Sequence, residues 1–349
     1  MKPERKAFFK KWLRKLAWLP VLVLLFVALL ELFYRNQWID TYKRELNALN
    51  LVEFPANPKK KVLVMGDSFS AATNSWVDVL RKQHSDWQIV NSAVPGTTIL
   101  QANLMLENRL SEFKPDLLIY QIYVGNDLFD LRYPINWGEI GFFRNLYWAS
   151  ANRIRSLAWF NYALGQFKRT VALPDFQQGK VDEGEFDPAK YSERERLYIK
   201  AEPGMIENQV LLKEGREIDM AKYGGLLSEF IYTALEADCK VVLMVIPHCS
   251  QVHPRYLHRL ELLGAKFGEQ TAMATEEYPF LRELRAIVDD KAEILNLLPV
   301  MQEREAAGQS MYYLHDAHLN DAGQAVVAAL VEPVASGHRA IDRTPPAEF

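Results

Sequence analysis

Cysteine is scarce in this chain, with two in 349 residues. Cys239 and Cys249 bracket "KVVLMVIPH", which reads as a strand, and ten residues at about 3.3 Å each hold them roughly 30 Å apart. No intramolecular disulfide is expected, so cysteine usage is silent on compartment. There is no Gly-x-Gly-x-x-Gly dinucleotide fingerprint and no Gly-x-x-x-x-Gly-Lys-Ser/Thr phosphate loop. No cofactor is expected. Charge of one sign is also lacking: the net value is -3. Residues 1–15 hold seven Lys or Arg against Glu4, a balance of +6, which leaves -9 for the remainder. A mildly acidic body gives no electrostatic reason to expect a nucleic-acid partner. Internal repeats and low-complexity tracts are absent. A hydrophobic content of 49% is ample for a large core.

One long apolar run is present, "LAWLPVLVLLFVALLELFY" at 16–34, directly after the basic head. As a helix it is long enough to cross a hydrocarbon layer of roughly 30 Å. The cations before it outnumber Arg35, Lys43 and Arg44 after it, which predicts a cytoplasmic N-terminus. A cleaved signal would have a shorter apolar region ending in small residues, whereas this one ends Glu-Leu-Phe-Tyr. The expectation is a single-pass signal anchor in an inner, cytoplasmic-type membrane, with the rest of the chain periplasmic or otherwise extracytoplasmic. Glu31 falls in its last turns, near the far interface.

Beyond a polar linker at 35–59, apolar β-branched runs alternate with helical spacing. Strands are predicted at 61–66, 87–94, 115–125, 240–247 and 292–298. Helices are predicted at 75–84, 98–113, 224–237, around 257–288, and at 322–334. This alternation predicts a three-layer α/β/α sandwich on a mainly parallel five-stranded sheet. Its domain would span 60–336, followed by a tail at 337–349. The pattern is interrupted at 128–215, too long to be a bare loop, so a helical cap is expected there. Its aromatics (Trp137, Phe142, Phe143, Tyr147, Trp148, Trp159, Phe160 and Tyr162) read first as packing, with sugar stacking or a membrane surface as the alternative.

In an open parallel sheet, ligands bind beyond the carboxyl ends of the strands. The loops there carry Asp67-Ser68, Pro95-Gly96, Asn126-Asp127, His248, and finally "LHDAHLNDAG" at 314–323. Singly, each has a structural explanation as a helix cap or turn. Together they supply every part of a nucleophilic site. Ser68, at a strand end meeting a helix start, needs a histidine base within reach. That base needs an orienting carboxylate. The oxyanion needs fixed donors, for which Ser68 N–H, Gly96 N–H and the Asn126 amide are available. His248, His253 and His258 recur at spacings of five, not the i, i+4 of a helical metal pair, so no metal is expected. A Gly-x-Ser-x-Gly elbow is ruled out because the residue two after Ser68 is Ser70.

This ordered set resembles the SGNH (GDSL-type) hydrolase family, over Lys61 to about Val334. "GDSFS" matches its first block, carrying over Ser68 as nucleophile. "NSAVPGTT" carries over Gly96, and "GND" carries over Asn126, with Val124 where the family often has Gly. The last block, usually Asp-x-x-His, reads Asp316-Ala317-His318, and position 315 is His. A shortened Asp-x-His block is similar to that of periplasmic polysaccharide O-acetylation proteins related to this family. The resemblance implies His318 as base and Asp316 as its orienter. It leaves His315 a bystander and Asp321 a first-turn helix residue. It also implies acyl-ester chemistry through an acyl-serine: an esterase or deacetylase, or an O-acyltransferase, for which the anchor and the aromatic insertion point to acetyl esters of a cell-surface glycan. The other reading left open is a non-catalytic member, kept as a binding or assembly component of an envelope polysaccharide system. The altered last block favours it; retention of Ser68, Gly96, Asn126 and His318 opposes it.

Overall fold

The computed structural model describes residues 3–72, 74–168 and 184–337, with side chains from Trp18 onward except 166–168. The predicted tail thus lies almost wholly outside the described residues, as does 169–183 of the predicted cap.

Five strands form one sheet, every neighbouring pair parallel: β1 (Lys60–Met65), β2 (Trp87–Asn91), β3 (Leu117–Tyr123), β4 (Lys240–Ile246) and β5 (Glu293–Asn296). Their order is β2-β1-β3-β4-β5. Each falls inside its predicted run or begins one residue before it. The runs are continuous rather than alternating because both faces are covered. All of β3, and all of β4 after Lys240, is buried. Each such Val, Leu, Ile or Met contributes roughly 1.5–3 kcal/mol by leaving water. Right-handed crossovers in this order put helices on both faces. The helix Trp76–Gln83 packs on the closing helix Asp321–Ser336, and Ile99–Phe113 packs on Arg216–Glu236. The order reverses between β1 and β3, where the crevice of a doubly wound sheet opens.

The predicted helical stretch 257–288 is three helices rather than one: Pro254–Leu262, Gln270–Met273 and Pro279–Val288. Gly264, at φ +97°, terminates the first, and Pro279 starts the last. Between β3 and β4 the described residues also form the α-helices Asp127–Leu131, Phe142–Ala151, Arg155–Lys168, Glu193–Ala201 and Met205–Leu211. The aromatics of this insertion divide. Trp148 is buried and Tyr147, Trp159 and Tyr162 pack against the core, whereas Trp137, Phe142, Phe143 and Phe160 are exposed.

The N-terminal helix runs Pro3–Arg35, and its window Trp18–Arg35, with mean hydropathy 1.9, is long and apolar enough to cross a membrane. Its end is not free. The Glu31 carboxylate accepts from Ser156 N–H (2.8 Å) and Arg155 N–H (3.3 Å), capping the helix Arg155–Lys168. Tyr34 is buried against Trp159, with 6.0 Å between rings, and bonds Tyr42. The predicted linker 35–59 is docked as well. It carries the helix Lys43–Leu49, and Asp40 pairs with the buried Arg109 at 2.6 Å.

Candidate active site

Ser68 lies just past β1. Residues 67–72 form a turn, and the next helix begins at Trp76, one residue after its expected start. Asp67 supplies the turn. Its Oδ1 accepts from Phe69 N–H (3.0 Å), and its carbonyl accepts from Ser70 and Ala71. Gly66, at φ +155°, passes so close to Gln121 that a Cβ would meet its Oε1 at 2.7 Å. Gln121, from the centre of β3, accepts from Asp67 N–H and Ser70 O–H, both at 3.1 Å. The turn is thus fastened to the sheet on both sides of Ser68.

Ser68 Oγ lies 2.7 Å from His318 Nε2. On the other side of the ring, His318 Nδ1 meets Asp316 Oδ1 in a short contact. The same oxygen accepts the backbone N–H of His318 at 2.8 Å. With the ring proton on Nδ1, facing the carboxylate, Nε2 accepts from the Ser68 hydroxyl. A spacing of two suffices because the aspartate folds over its own turn and reaches backbone and ring together. Phe69 stacks on the imidazole, ring centroids 4.8 Å apart, and packs on Tyr123 behind it. An apolar residue after the serine reads as core in the sequence; here it also orients the imidazole.

Asn126 follows β3, and its Nδ2 reaches Asp67 Oδ2 at 3.4 Å. Gly125 must be glycine, because a Cβ would strike the Tyr123 ring at 2.5 Å and His248 at 2.6 Å. Gln209, from the insertion, donates to Gly125 O (2.7 Å) and accepts from Phe129 N–H (3.0 Å). Gly96 has φ +70°, and a Cβ there would lie 2.8 Å from Arg194 Nη1. The glycine thus makes room for an insertion side chain, which its sequence gives no means of foreseeing.

Three carboxyls are buried under this edge. Burial raises the Asp67 pKa and pushes Asp127 well above the usual carboxylate range, with Asp67 and Asp130 adding to the latter. Asp130 is raised to about 6 by burial, against the pull of Arg194.

Among the described residues, His248, His253 and His315 have structural work. His248 is fully buried and neutral, its pKa lowered to about 3 by burial, and its side chain accepts from Ser250 N–H as a helix cap. His253 caps Pro254–Leu262 in the same way, and His258 is exposed. His315 is not idle. Its Nε2 accepts from Asp187 N–H (2.9 Å), its carbonyl accepts from Ser192 N–H (3.2 Å), and Phe186 stacks on its ring. Asn320 caps the closing helix by accepting from Gly323 N–H, and Asp321 is in its first turn. Both cysteines are free and buried.

No family model matches the chain, and no curated protein does. Among solved structures it is similar to an acetyl xylan esterase at TM-score 0.40 and 12% identity, covering 78% of this chain and 98% of that one. A GDSL-like lipase from Bacteroides thetaiotaomicron gives 0.40 and 12%, over 85% and 97%. TesA gives 0.38 and 18%, over 80% and 99%. The three-layer α/β assignment rests on this chain's own strand order and crossovers.

Proposed function

We propose that this protein is a membrane-anchored, SGNH-type serine esterase or O-acyltransferase, working outside the cytoplasm on acyl esters, chiefly acetyl esters of a cell-surface glycan. The observation that carries this is the continuous chain from Ser68 Oγ to His318 to Asp316 at the carboxyl edge of the sheet. In this reading Ser68 Oγ attacks the acyl carbonyl while His318 Nε2 takes its proton. Asp316 holds the tautomer and stabilises the imidazolium. The oxyanion is met by the N–H groups of Ser68 and Gly96 and by Asn126 Nδ2, each such donor being worth about 10²–10³ in rate. Collapse expels the sugar alkoxide, which His318 protonates, leaving acyl-Ser68. A water or a second sugar hydroxyl, deprotonated by His318, then takes the acyl group.

The test uses the full chain in detergent, because residues 31–50 are packed into the domain and a trimmed version would lose them. Turnover of p-nitrophenyl acetate and a phosphonate adduct on Ser68, both absent in Ser68→Ala, are expected. An inert wild type with no adduct would sink the enzyme reading and leave a non-catalytic binding component. Adding a sugar acceptor separates the two reactions: acetyl appears on the sugar for a transferase and as free acetate for an esterase.

A further inference from the structure

Beside Gly96 the insertion encloses a cavity of about 230 Å³ whose walls include Arg194, Arg144, Arg155, Tyr147 and Trp159. Its charges do not balance. Three guanidinium groups face one carboxylate, Asp130, which is buried and lies 3.2 and 3.4 Å from Arg194 Nη2 through its two oxygens. Arg194 is held rigidly, since its Nε donates to the Tyr198 hydroxyl at 2.8 Å. Its Nη1 has no hydrogen bond among the described residues and lies against the backbone of Gly96. Arg155 donates to Leu131 O (2.8 Å). Arg144 has no carboxylate partner among the described residues and Arg155 only the Glu31 carboxylate that caps its helix, so the partly enclosed site keeps a surplus of cations, which favours an anion. Planar guanidinium forks match the oxygens of a carboxylate or a phosphate. Tyr147 and Trp159 add flat, amphipathic faces of the kind that cover a ring.

We propose that this cavity is a subsite for a sugar residue bearing an anionic group, next to the sugar whose ester is cleaved. The inference rests on the esterase or transferase reading for its place in the reaction, but not for the binding itself. Its effect is specificity: the acidic residue is gripped by Arg144, Arg155 and Arg194 while the neighbouring ester reaches Ser68.

The experiment has two arms, both on the full chain in detergent. In the first, acetate release is followed from an O-acetylated oligohexuronate and from an O-acetylated neutral xylo-oligosaccharide of equal length. The expected result is at least a tenfold preference in kcat/KM for the acidic ester, carried by KM and shrinking as salt rises. Arg144→Gln should reduce that ratio severalfold, and Arg144→Glu should abolish it. A merely structural arginine would alter both substrates alike and leave the salt dependence of the ratio in place. In the second arm, calorimetry on Ser68→Ala measures binding of unacetylated oligohexuronate, a phosphorylated oligosaccharide and inorganic phosphate. Binding of the first points to a carboxylate sugar, of the second to a phosphorylated one. Phosphate binding without either oligosaccharide would overturn the sugar assignment. Acidic and neutral esters turned over equally, with no acidic ligand bound, would remove the subsite and leave the esterase standing. Salt-sensitive binding lost in Arg144→Glu, with no ester turned over, would keep the subsite and remove the esterase.

Discussion

The loops at the carboxyl edge of the sheet and the insertion beside them divide the site unequally. The edge loops follow the carboxyl ends of β1, β2 and β3, whose last residues are buried, and, after an intervening helix, of β5; they carry Ser68, Gly96, Asn126, Asp316 and His318. The insertion carries none of these, yet it touches three of the same loops from outside. Gln209 bonds Gly125, Arg194 lies against Gly96, and Phe186 with Asp187 grips His315. Groups whose separations must stay near 2.7 Å are on the rigid partner, and groups that brace and select are on the added one. The same scaffold could therefore accept a different insertion, and so a different substrate, without rebuilding its chemistry.

The division is most open to attack at the last loop, where both regions meet three residues apart. Asp316→Asn keeps an acceptor for the His318 backbone N–H but sets an amide against Nδ1, so kcat should fall about 10³–10⁴-fold. His315→Ala removes a contact to the insertion only, and kcat on a small ester should stay within about threefold. Stopped-flow rates on p-nitrophenyl acetate compare the two, and the opposite ranking would show that the insertion, not the edge, sets the chemistry.

A smaller effect measures the bracing itself. Gln209→Ala leaves Gly125 O and Phe129 N–H unpaired in a buried place, a loss of about 1–3 kcal/mol in unfolding free energy. Denaturant titration reads it, and an unchanged midpoint would mean that the insertion merely rests on the loop after β3. A pH-dependent effect of similar size concerns the edge alone. An unfolded histidine takes up a proton below about pH 6.5, while folded His248 refuses one until about pH 3. Stability from this group therefore falls as pH drops from 6.5 towards 3, by about 1.4 kcal/mol per unit. His248→Asn keeps a capping acceptor and removes that dependence. Between pH 7 and pH 5 the wild type should lose about 2 kcal/mol more than the variant. Parallel losses would mean that His248 takes up its proton in the folded chain.

The sheet was open to reading because each strand is a continuous apolar run, and run length survives without any knowledge of neighbours. Ser68, Gly96 and Asn126 could be picked out because they stand just past the ends of those runs, and Asp316 and His318, some distance after the last, because all five fall inside short recognisable blocks. What could not be read depends on distant partners. Gln209 and Gly125 are 84 residues apart, Asp187 and His315 are 128 apart, and no spacing rule links them. The turn at Ser68 was legible but its construction was not: Asp67 closes it on itself, and an aspartate before a serine is equally suited to capping a helix. The stretch from 35 to 59 looked polar enough for a linker, but Asp40 is polar because buried Arg109 needs a counter-charge.

The contact of Glu31 and Tyr34 with the insertion has a consequence for reach. The long helix is gripped along its flank, so the domain cannot swing on residues 36–42 as it would on a leash. With that helix in a bilayer, as proposed, the opening beside Gly96 stands at one altitude and one heading over the lipid. Inserting extra residues after Arg35 would not raise it, because the attachment is sideways. Under the proposed glycan chemistry, which polymer is modified then becomes partly a question of where that polymer passes, settled before any sugar is recognised.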